Sequence, residues 1–353
     1  MRLDQTAAEV ATLLKGRVEG EPGLRLRALV SPTLAGPTDL VPVWTSGAAE
    51  DAAACPAHCL LVGPDHPPAD NGTTLVRVAD PEAAIDVLAA AFAPPRDRPA
   101  EGVHPAAVVD PSAIMGEGVA IGPFVSVGPR ARIGDRTALQ PGVVVEADAV
   151  IGADCHLAPR VVVGFRCELG DRVLLHAGVV IGADGFGFRR DDQGRHHKIP
   201  QVGNVILGDD VEIGANTTVD RARFDHTLVG RGTKLDNDVQ VGHNAQLGED
   251  VAIAGGVNLA GHCRLGNRVL MGGMAGCDNG VVVGDDAILG GFSRIKKDVP
   301  AGGFVAGIPA KAFDEFRKER ANLTRLPQLR DRVAELERRL RELGADGAGE
   351  DGS

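Results

Sequence analysis

The feature that most constrains the fold of this 353-residue chain is an aliphatic side chain at every sixth position through its middle. The first uninterrupted run consists of Val103, Val109, Met115, Ile121, Val127, Ile133, Leu139, Val145, Ile151, Leu157, Val163, Leu169, Leu175 and Ile181. A period of six matches neither the 3.6-residue period of an amphipathic helix nor the alternation of a strand. It is typical of a solenoid in which each repeat contributes one short strand.

The repeat predicts a triangular prism. Each hexapeptide forms one flat strand and one corner, the aliphatic residue points inward, and the small residue after it lets the chain turn. Three hexapeptides complete one coil, and successive coils stack through parallel ladder hydrogen bonds. The 47 glycines and the aromatic content of only 3% fit such thin layers. We therefore predict a mainly β fold, a parallel β-helix.

The repeat is interrupted twice. Residues 183–204 do not follow it, and we expect them to form an ejected loop. The frame resumes at Leu207, slips by four residues around RARFDH (221–226), and then continues to Ile295. The solenoid is thus predicted over 103–308, with roughly ten coils.

The flanking segments read as other kinds of structure. Residues 1–93 are predicted as a small α/β domain, and 94–102 as a linker. Within that domain we expect helices at 6–14 and 81–93 and strands at 59–63 and 74–78.

A helical segment is predicted at 309–345, followed by a disordered tail at 346–353. Val333, Leu336, Leu340 and Leu343 have the 3-4-3 spacing of a short coiled-coil seam. This seam is either an oligomer contact or a surface that packs back on the helix's own neighbours.

Bulk properties restrict location and partners. The net charge of −11 argues against nucleic acid as a general partner. The sequence contains no stretch of 18 apolar residues, so no transmembrane span is predicted. The N-terminus carries Asp4 and Glu9 and is not expected to be a secretory signal. The six cysteines form no CxxC pair and are expected to be reduced. These features together predict a cytoplasmic protein.

A β-solenoid by itself does not define a function. An antifreeze-like surface, a scaffold, a γ-class carbonic anhydrase and an acyltransferase are all compatible with it. The carbonic anhydrase class requires three zinc-binding histidines, two of them five residues apart, and no H-x4-H pattern occurs here. We therefore predict no metal site.

The polar segment around His243 is the candidate site. His243 follows the inward Val241 by two residues, so it should stand at a corner and point outward. Asp236 and Gln240 lie on the preceding hexapeptide and are expected to reach the same edge. One coil further along the chain lies Gly261, whose N–H no side chain shields. An imidazole base, a carboxylate and a backbone donor together suit acyl transfer.

Three segments carry a resemblance to a known family. ADGFGF (183–188), the stretch from KIPQ to VDR (198–221) and LDNDVQVGHNAQLGEDVAIAGG (235–256) resemble the UDP-3-O-acylglucosamine N-acyltransferases of lipid A biosynthesis. The resemblance implies a left-handed β-helix and a homotrimer with active sites between neighbouring prisms. It also implies transfer of a 3-hydroxyacyl chain from acyl carrier protein to the 2-amino group of the UDP-linked sugar. Since the thioester supplies the leaving group, no cofactor is expected.

The resemblance assigns roles to residues. His243 corresponds to the general base, Asp236 to its partner, and Gly261 to the oxyanion donor. The substrate-binding groove is expected to include Gly185, Phe186, Gly187, Phe188, Lys198, Asn237 and Gln240. The basic residues Lys311, Arg317, Lys318 and Arg320 form either the contact with the acidic acyl carrier protein or a solvated helix face.

The sequence departs from the family at two places. The family holds uracil between aromatic residues of the N-terminal domain, but this chain has no Tyr. Trp44 in the stretch 39–51 is the expected stacking face, and the alternative is a partly buried packing residue. Gly280 stands where family members carry a second His, and His262 lies in a different register. These departures leave two alternatives, a diverged hexapeptide acyltransferase that uses another sugar nucleotide or acyl-CoA, and a non-catalytic trimer.

Overall fold

The structure, a computed structural model, describes residues 1–43, 56–68, 72–94, 96–307 and 313–346. The chain divides into two compact units, Met1–Asp97 and Arg98–Ser353. The division falls inside the segment that the sequence predicts as a linker.

The first unit contains a six-stranded mixed sheet in the order β1-β3-β4-β5-β6-β2. The two outer pairs, β1 with β3 and β2 with β6, are antiparallel, and the inner pairs are parallel. The strands are β1 Arg2–Thr6, β2 Arg17–Glu19, β3 Arg25–Leu29, β4 Asp39–Val43, β5 Cys59–Val62 and β6 Thr74–Arg77.

Two α-helices of this unit begin at capping residues that the sequence supplies. Helix α1 (Ala7–Leu13) begins after Thr6, whose hydroxyl accepts from the N–H of Glu9, while the Glu9 carboxylate accepts from the N–H of Thr6. Helix α2 (Pro81–Phe92) begins after Asp80. A short 3-10 helix spans Pro32–Leu34. The predicted helices and strands of this unit are confirmed.

The second unit is the predicted parallel β-helix, which the structure confirms. Its strands form three flat faces of 11, 10 and 9 strands, in agreement with roughly ten coils. Face 1 consists of Gly102–Val103, Ala120–Ile121, Ala138–Leu139, His156–Leu157, Leu174–Leu175, Glu212–Ile213, Lys234–Leu235, Ala252–Ile253, Leu270–Met271, Ile288–Leu289 and Phe304–Val305. Face 2 consists of Val108–Val109, Ser126–Val127, Val144–Val145, Val162–Val163, Val180–Asp184, Thr218–Arg221, Gln240–Val241, Asn258–Leu259, Gly276–Cys277 and Arg294–Ile295. Face 3 consists of Ile114–Met115, Arg132–Ile133, Val150–Ile151, Glu168–Leu169, Asn204–Leu207, His226–Val229, Gln246–Leu247, Arg264–Leu265 and Val282–Val283.

The interior takes two side chains from each hexapeptide, where the sequence predicts one. The sixth-position aliphatics from Ile121 onward are buried, and outside the turn 222–225 so is the residue four places after each, such as Val125 and Ala131. Cys155 and Cys167 occupy this second inward position as buried free thiols. Val103 is an exception to the predicted burial, with 51% of its surface exposed, because no coil of the solenoid precedes it.

The corner turns at a different residue from the one predicted. The third residue after most inward aliphatics adopts a left-handed conformation, as Arg130 (φ 58°) and Asp148 (φ 58°) do. The small residue directly after the aliphatic has another purpose. A Cβ on Gly134 would lie 2.5 Å from the carbonyl carbon of Gly152 in the next coil. Glycine is required there because the backbones of stacked coils approach so closely.

Both interruptions of the repeat form defined structure. The ejected loop carries an antiparallel hairpin of strands Phe188–Arg190 and His196–Lys198. The four-residue slip is a turn, 222–225, between a strand of face 2 and a strand of face 3. The buried Arg221 guanidinium donates to the carbonyls of Gly182 (2.8 Å) and Gly203 (3.3 Å). This side chain therefore fastens both ends of the loop to the prism.

Helix α3 (Phe313–Asp346) follows the solenoid and contains Pro327. Three residues of the predicted seam, Val333, Leu336 and Leu340, are exposed, and the Leu343 side chain lies outside the description. Within the described residues, none of the helices combines the length and apolar character that a membrane crossing requires.

The close stacking of coils predicts the effect of one added methyl group. Gly134→Ala places a Cβ against the backbone of Gly152 and Ala153, which cannot move aside without breaking the ladder. We expect a loss of about 1–3 kcal/mol in the free energy of unfolding, measured by denaturant titration. The matched control is Gly273→Ala, where the nearest atom lies 3.4 Å away. Equal denaturation midpoints for the two variants would contradict this account of the glycine.

Candidate active site

A cavity of about 590 Å³ lies at the corner between faces 2 and 3, beside the ejected loop. It collects most of the residues that the sequence singled out. Those in its wall are His243, Gly261, Gln240, Gly185, Phe186, Phe188 and Lys198. Gly187 lies next to them, where a Cβ would meet Nε2 of Gln201 at 2.5 Å.

His243 and Gly261 face each other across one coil, as the 18-residue spacing predicts. A Cβ on Gly261 would lie 2.8 Å from both Cε1 and Nε2 of the His243 ring. A Cβ on Gly185 would lie 2.6 Å from Cβ of His243, so the loop backbone closes on the same residue. In the part of the chain that the structure describes, the Gly261 N–H donates to no protein acceptor. This N–H is therefore available to a ligand bound in the cavity.

His262 packs against His243 although it comes from another register of the repeat. The two rings meet edge to face with centroids 5.1 Å apart. Burial lowers the pKa of His262, and the nearby His243 lowers it further.

Asp236 does not reach this edge within one chain, contrary to expectation. It stands at the corner between faces 1 and 2, in the wall of a separate cavity of about 910 Å³ that Asn237 also lines. Its Oδ1 accepts from the backbone N–H of Asn237 at 2.7 Å. Each six-residue step carries the chain to the next corner, so residues seven apart cannot share one.

Two carboxylates line the His243 cavity, that of Asp184 and that of Asp220, and sequence reasoning missed Asp220. Burial raises the pKa of its carboxyl, while a hydrogen bond from Gln240 and the charge of His243 oppose the rise. The Thr218 hydroxyl donates to Oε1 of Gln240, which leaves the amide nitrogen of Gln240 for Asp220. The sequence feature that could have identified Asp220 is its position directly after the inward Val219, where most repeats have a small residue.

The loop contributes aromatic and cationic groups to the cavity. Phe186 and Phe188 pack edge to face at 5.1 Å, and Phe186 is 86% exposed. Nζ of Lys198 lies 6.0 Å from the Phe188 ring centroid and 2.6 Å from the Asp184 carboxylate. An apolar surface next to a cation suits a ligand with both an acyl chain and anionic groups. Trp44 lies outside the described residues.

The raised pKa of Asp220 makes a stability prediction. Because the folded state holds this proton more tightly than the unfolded chain, stability falls as pH rises through the raised pKa. Asp220→Asn is therefore expected to unfold at a higher temperature than the wild type at about pH 8, with the gain disappearing towards about pH 4. Calorimetry at both pH values measures this. Asp238→Asn, at an exposed corner, is the control. If the unfolding temperature of Asp220→Asn rose by the same amount at both pH values, ionisation of Asp220 would not be what destabilises the wild type.

Comparison with known proteins agrees with the family predicted from the sequence. Residues 112–147 match the model of the bacterial transferase hexapeptide (six repeats). A UDP-3-O-acylglucosamine N-acyltransferase of Methylobacterium nodulans is 45% identical over 152 residues, which is 43% of this chain and 43% of that relative. One from Methylococcus capsulatus is 37% identical over 162 residues, 46% of each chain. The aligned part thus spans less than half the length of these relatives.

Solved structures that match part of this chain have TM-scores below 0.5. The UDP-N-acetylglucosamine O-acyltransferase of Moraxella catarrhalis is 26% identical, with a TM-score of 0.43 over 62% of this chain and 77% of that chain. From the family model and the aligned relatives together, the chain carries bacterial transferase hexapeptide repeats, and its matched part is related to the UDP-3-O-acylglucosamine N-acyltransferases.

Proposed function

We propose that this protein is an N-acyltransferase of lipid A biosynthesis acting in the cytoplasm. It moves a 3-hydroxyacyl chain from acyl carrier protein to the 2-amino group of UDP-3-O-acylglucosamine. The observation that carries the proposal is the His243 imidazole lying against the bare backbone of Gly261 in a cavity beside an aromatic loop. The names of the aligned relatives support the choice of substrates.

The reaction follows from these two groups. Nε2 of His243 takes a proton from the sugar amine as the amine nitrogen attacks the thioester carbonyl. The Gly261 N–H donates to the oxyanion of the tetrahedral intermediate. When the carbon–sulfur bond breaks, the imidazolium returns its proton to the leaving thiolate. The products are an amide and a free thiol, and the thioester supplies the driving force without a metal or redox cofactor.

Substrate binding is assigned to the remaining predicted residues. Phe186 and Phe188 offer an apolar surface, and Lys198 offers a cation to the anionic substrate. Trp44 is proposed to stack on uracil. The basic side chains of Arg317, Lys318 and Arg320 on helix α3, together with Lys311, are proposed to meet the acidic carrier protein.

We further propose that the active unit is a homotrimer in which Asp236 of one copy meets His243 of the next. Within one chain the two residues stand at different corners. The Asp236 cavity is flanked by large exposed side chains of face 1, Leu270 (47%), Ile288 (42%) and Phe304 (71%). A row of exposed apolar residues supports a surface that another copy covers. The carboxylate would then stabilise the imidazolium by its charge.

Activity is tested directly with the purified protein. We expect it to convert 3-hydroxyacyl carrier protein and UDP-3-O-acylglucosamine to the diacylated product, followed by mass spectrometry. His243→Ala should reduce turnover by at least about 100-fold, because a general base contributes on that scale. His104→Ala, in the first coil, is the control and should keep its activity. Full activity in His243→Ala would exclude the mechanism, and turnover only with acyl-CoA or another nucleotide sugar would redirect the substrate assignment.

Complementation between chains tests the shared site. His243→Ala and Asp236→Asn homotrimers should each be nearly inactive. Co-expressed, they should recover part of the wild-type rate, because some interfaces then combine an intact His243 with an intact Asp236. The matched control is His243→Ala co-expressed with Gly261→Val, two changes in one chain's cavity, which should recover nothing. No recovery in the first mixture would place Asp236 outside the neighbour's site.

A further inference from the structure

The side chain of Asn244 is held in a single orientation by the turn 222–225. Its Oδ1 accepts from the backbone N–H of Arg223 at 3.1 Å, and its Nδ2 donates to the carbonyl of Phe224 at 3.2 Å. A backbone N–H can only donate and a carbonyl can only accept, so the amide cannot be flipped. The Asn244 N–H also donates to Oγ1 of the buried Thr227 at 2.8 Å.

This fixed amide determines which nitrogen of His243 carries the proton. Nδ1 of His243 lies 3.1 Å from Oδ1 of Asn244. Since that oxygen can only accept, Nδ1 must be the donor, and in a neutral ring Nε2 is then left with its lone pair. Nε2 is the nitrogen that lies against Gly261.

The same turn also anchors the end of the ejected loop. The carbonyls of Ala222 and Arg223 accept from the N–H groups of Gly203 (3.1 Å) and Val202 (2.9 Å). A Cβ on Gly203 would lie 2.6 Å from the Asp225 carbonyl, so the loop and the turn are in close contact. The four residues that break the repeat thus join the substrate loop to the residue beside His243.

We propose that Asn244 is the positioning residue of the reaction. Held by the turn 222–225, it fixes His243 in the tautomer whose Nε2 faces the reacting amine. The inference rests on the proposed function for its kinetic consequence, but the tautomer itself is a property of the free protein. The arrangement exists within one chain and precedes any contribution from Asp236 of a neighbouring copy.

Two substitutions separate positioning from folding. Asn244→Gly keeps a residue that tolerates the left-handed corner (φ 61°) and removes the amide, so kcat should fall about 100-fold with little change in KM. Asn244→Asp places a carboxylate beside Nδ1, so the acidic limb of the kcat/KM profile should move up by about one pH unit. The matched control is Asn216→Gly, at another left-handed corner (φ 60°), which should leave both quantities unchanged.

The tautomer is measured without turnover by ¹⁵N NMR of histidine-labelled protein, with the His243 signals identified by their loss in His243→Ala. The neutral ring of His243 should carry its proton on Nδ1, and Asn244→Gly should mix the two tautomers. A proton on Nε2 in the wild type would overturn the proposal, as would an unmoved acidic limb in Asn244→Asp. If the wild type shows the expected tautomer but transfers no acyl group, the proposed function fails and the positioning of His243 stands.

Discussion

The close stacking of one coil on the next, in an 18-residue register, is the constraint on which the rest of the structure depends. It excludes a Cβ from positions such as Gly134, where the next backbone lies too near. It limits the interior to two modest side chains per repeat. It also repeats each corner directly above the previous one, which brings His243 against Gly261 although 18 residues separate them. A site between successive coils is therefore a consequence of the ladder.

The sequence predicts the architecture well because the ladder is periodic. The hexapeptide defines the strand and the inward residue, and three hexapeptides define the coil. Counting 18 residues along the sequence therefore predicts both the solenoid and the proximity of His243 and Gly261. The left-handed conformation at the corners could not be predicted in the same way, because the residues that adopt it, such as Arg130, Asp148 and Phe124, share no side-chain chemistry. Their shared backbone conformation is imposed by the stacked coils and not by local preference.

The polar partners of His243 were predicted less well, for a geometric reason. Counting back along the chain suggested Asp236, but a distance of seven residues crosses to another corner. Asp220 lies in the cavity of His243 because the turn 222–225 changes the count between two coils, so that Thr218 pairs with Gln240 after 22 residues. Asn244 directly follows His243, and the same turn holds its amide against the ring. Contacts that depend on the four-residue turn cannot be predicted from the six-residue repeat, because the turn changes the spacing of the repeat. Burial raises the pKa of Asp220, and a carboxyl perturbed in this way inside a cavity is a candidate for a chemical role.

The register also bears on how such a chain can change its length. Each coil touches only its neighbours, so a coil added or lost away from residues 183–261 would return every later side chain to its own face. Insertion or deletion of a single hexapeptide would instead move every later side chain to the next face of the prism. Residues that now lie at the same corner would then be separated. Length in this architecture is therefore counted in whole coils, and evolution can lengthen or shorten the prism in steps of 18 residues while the corner that holds His243 stays as it is.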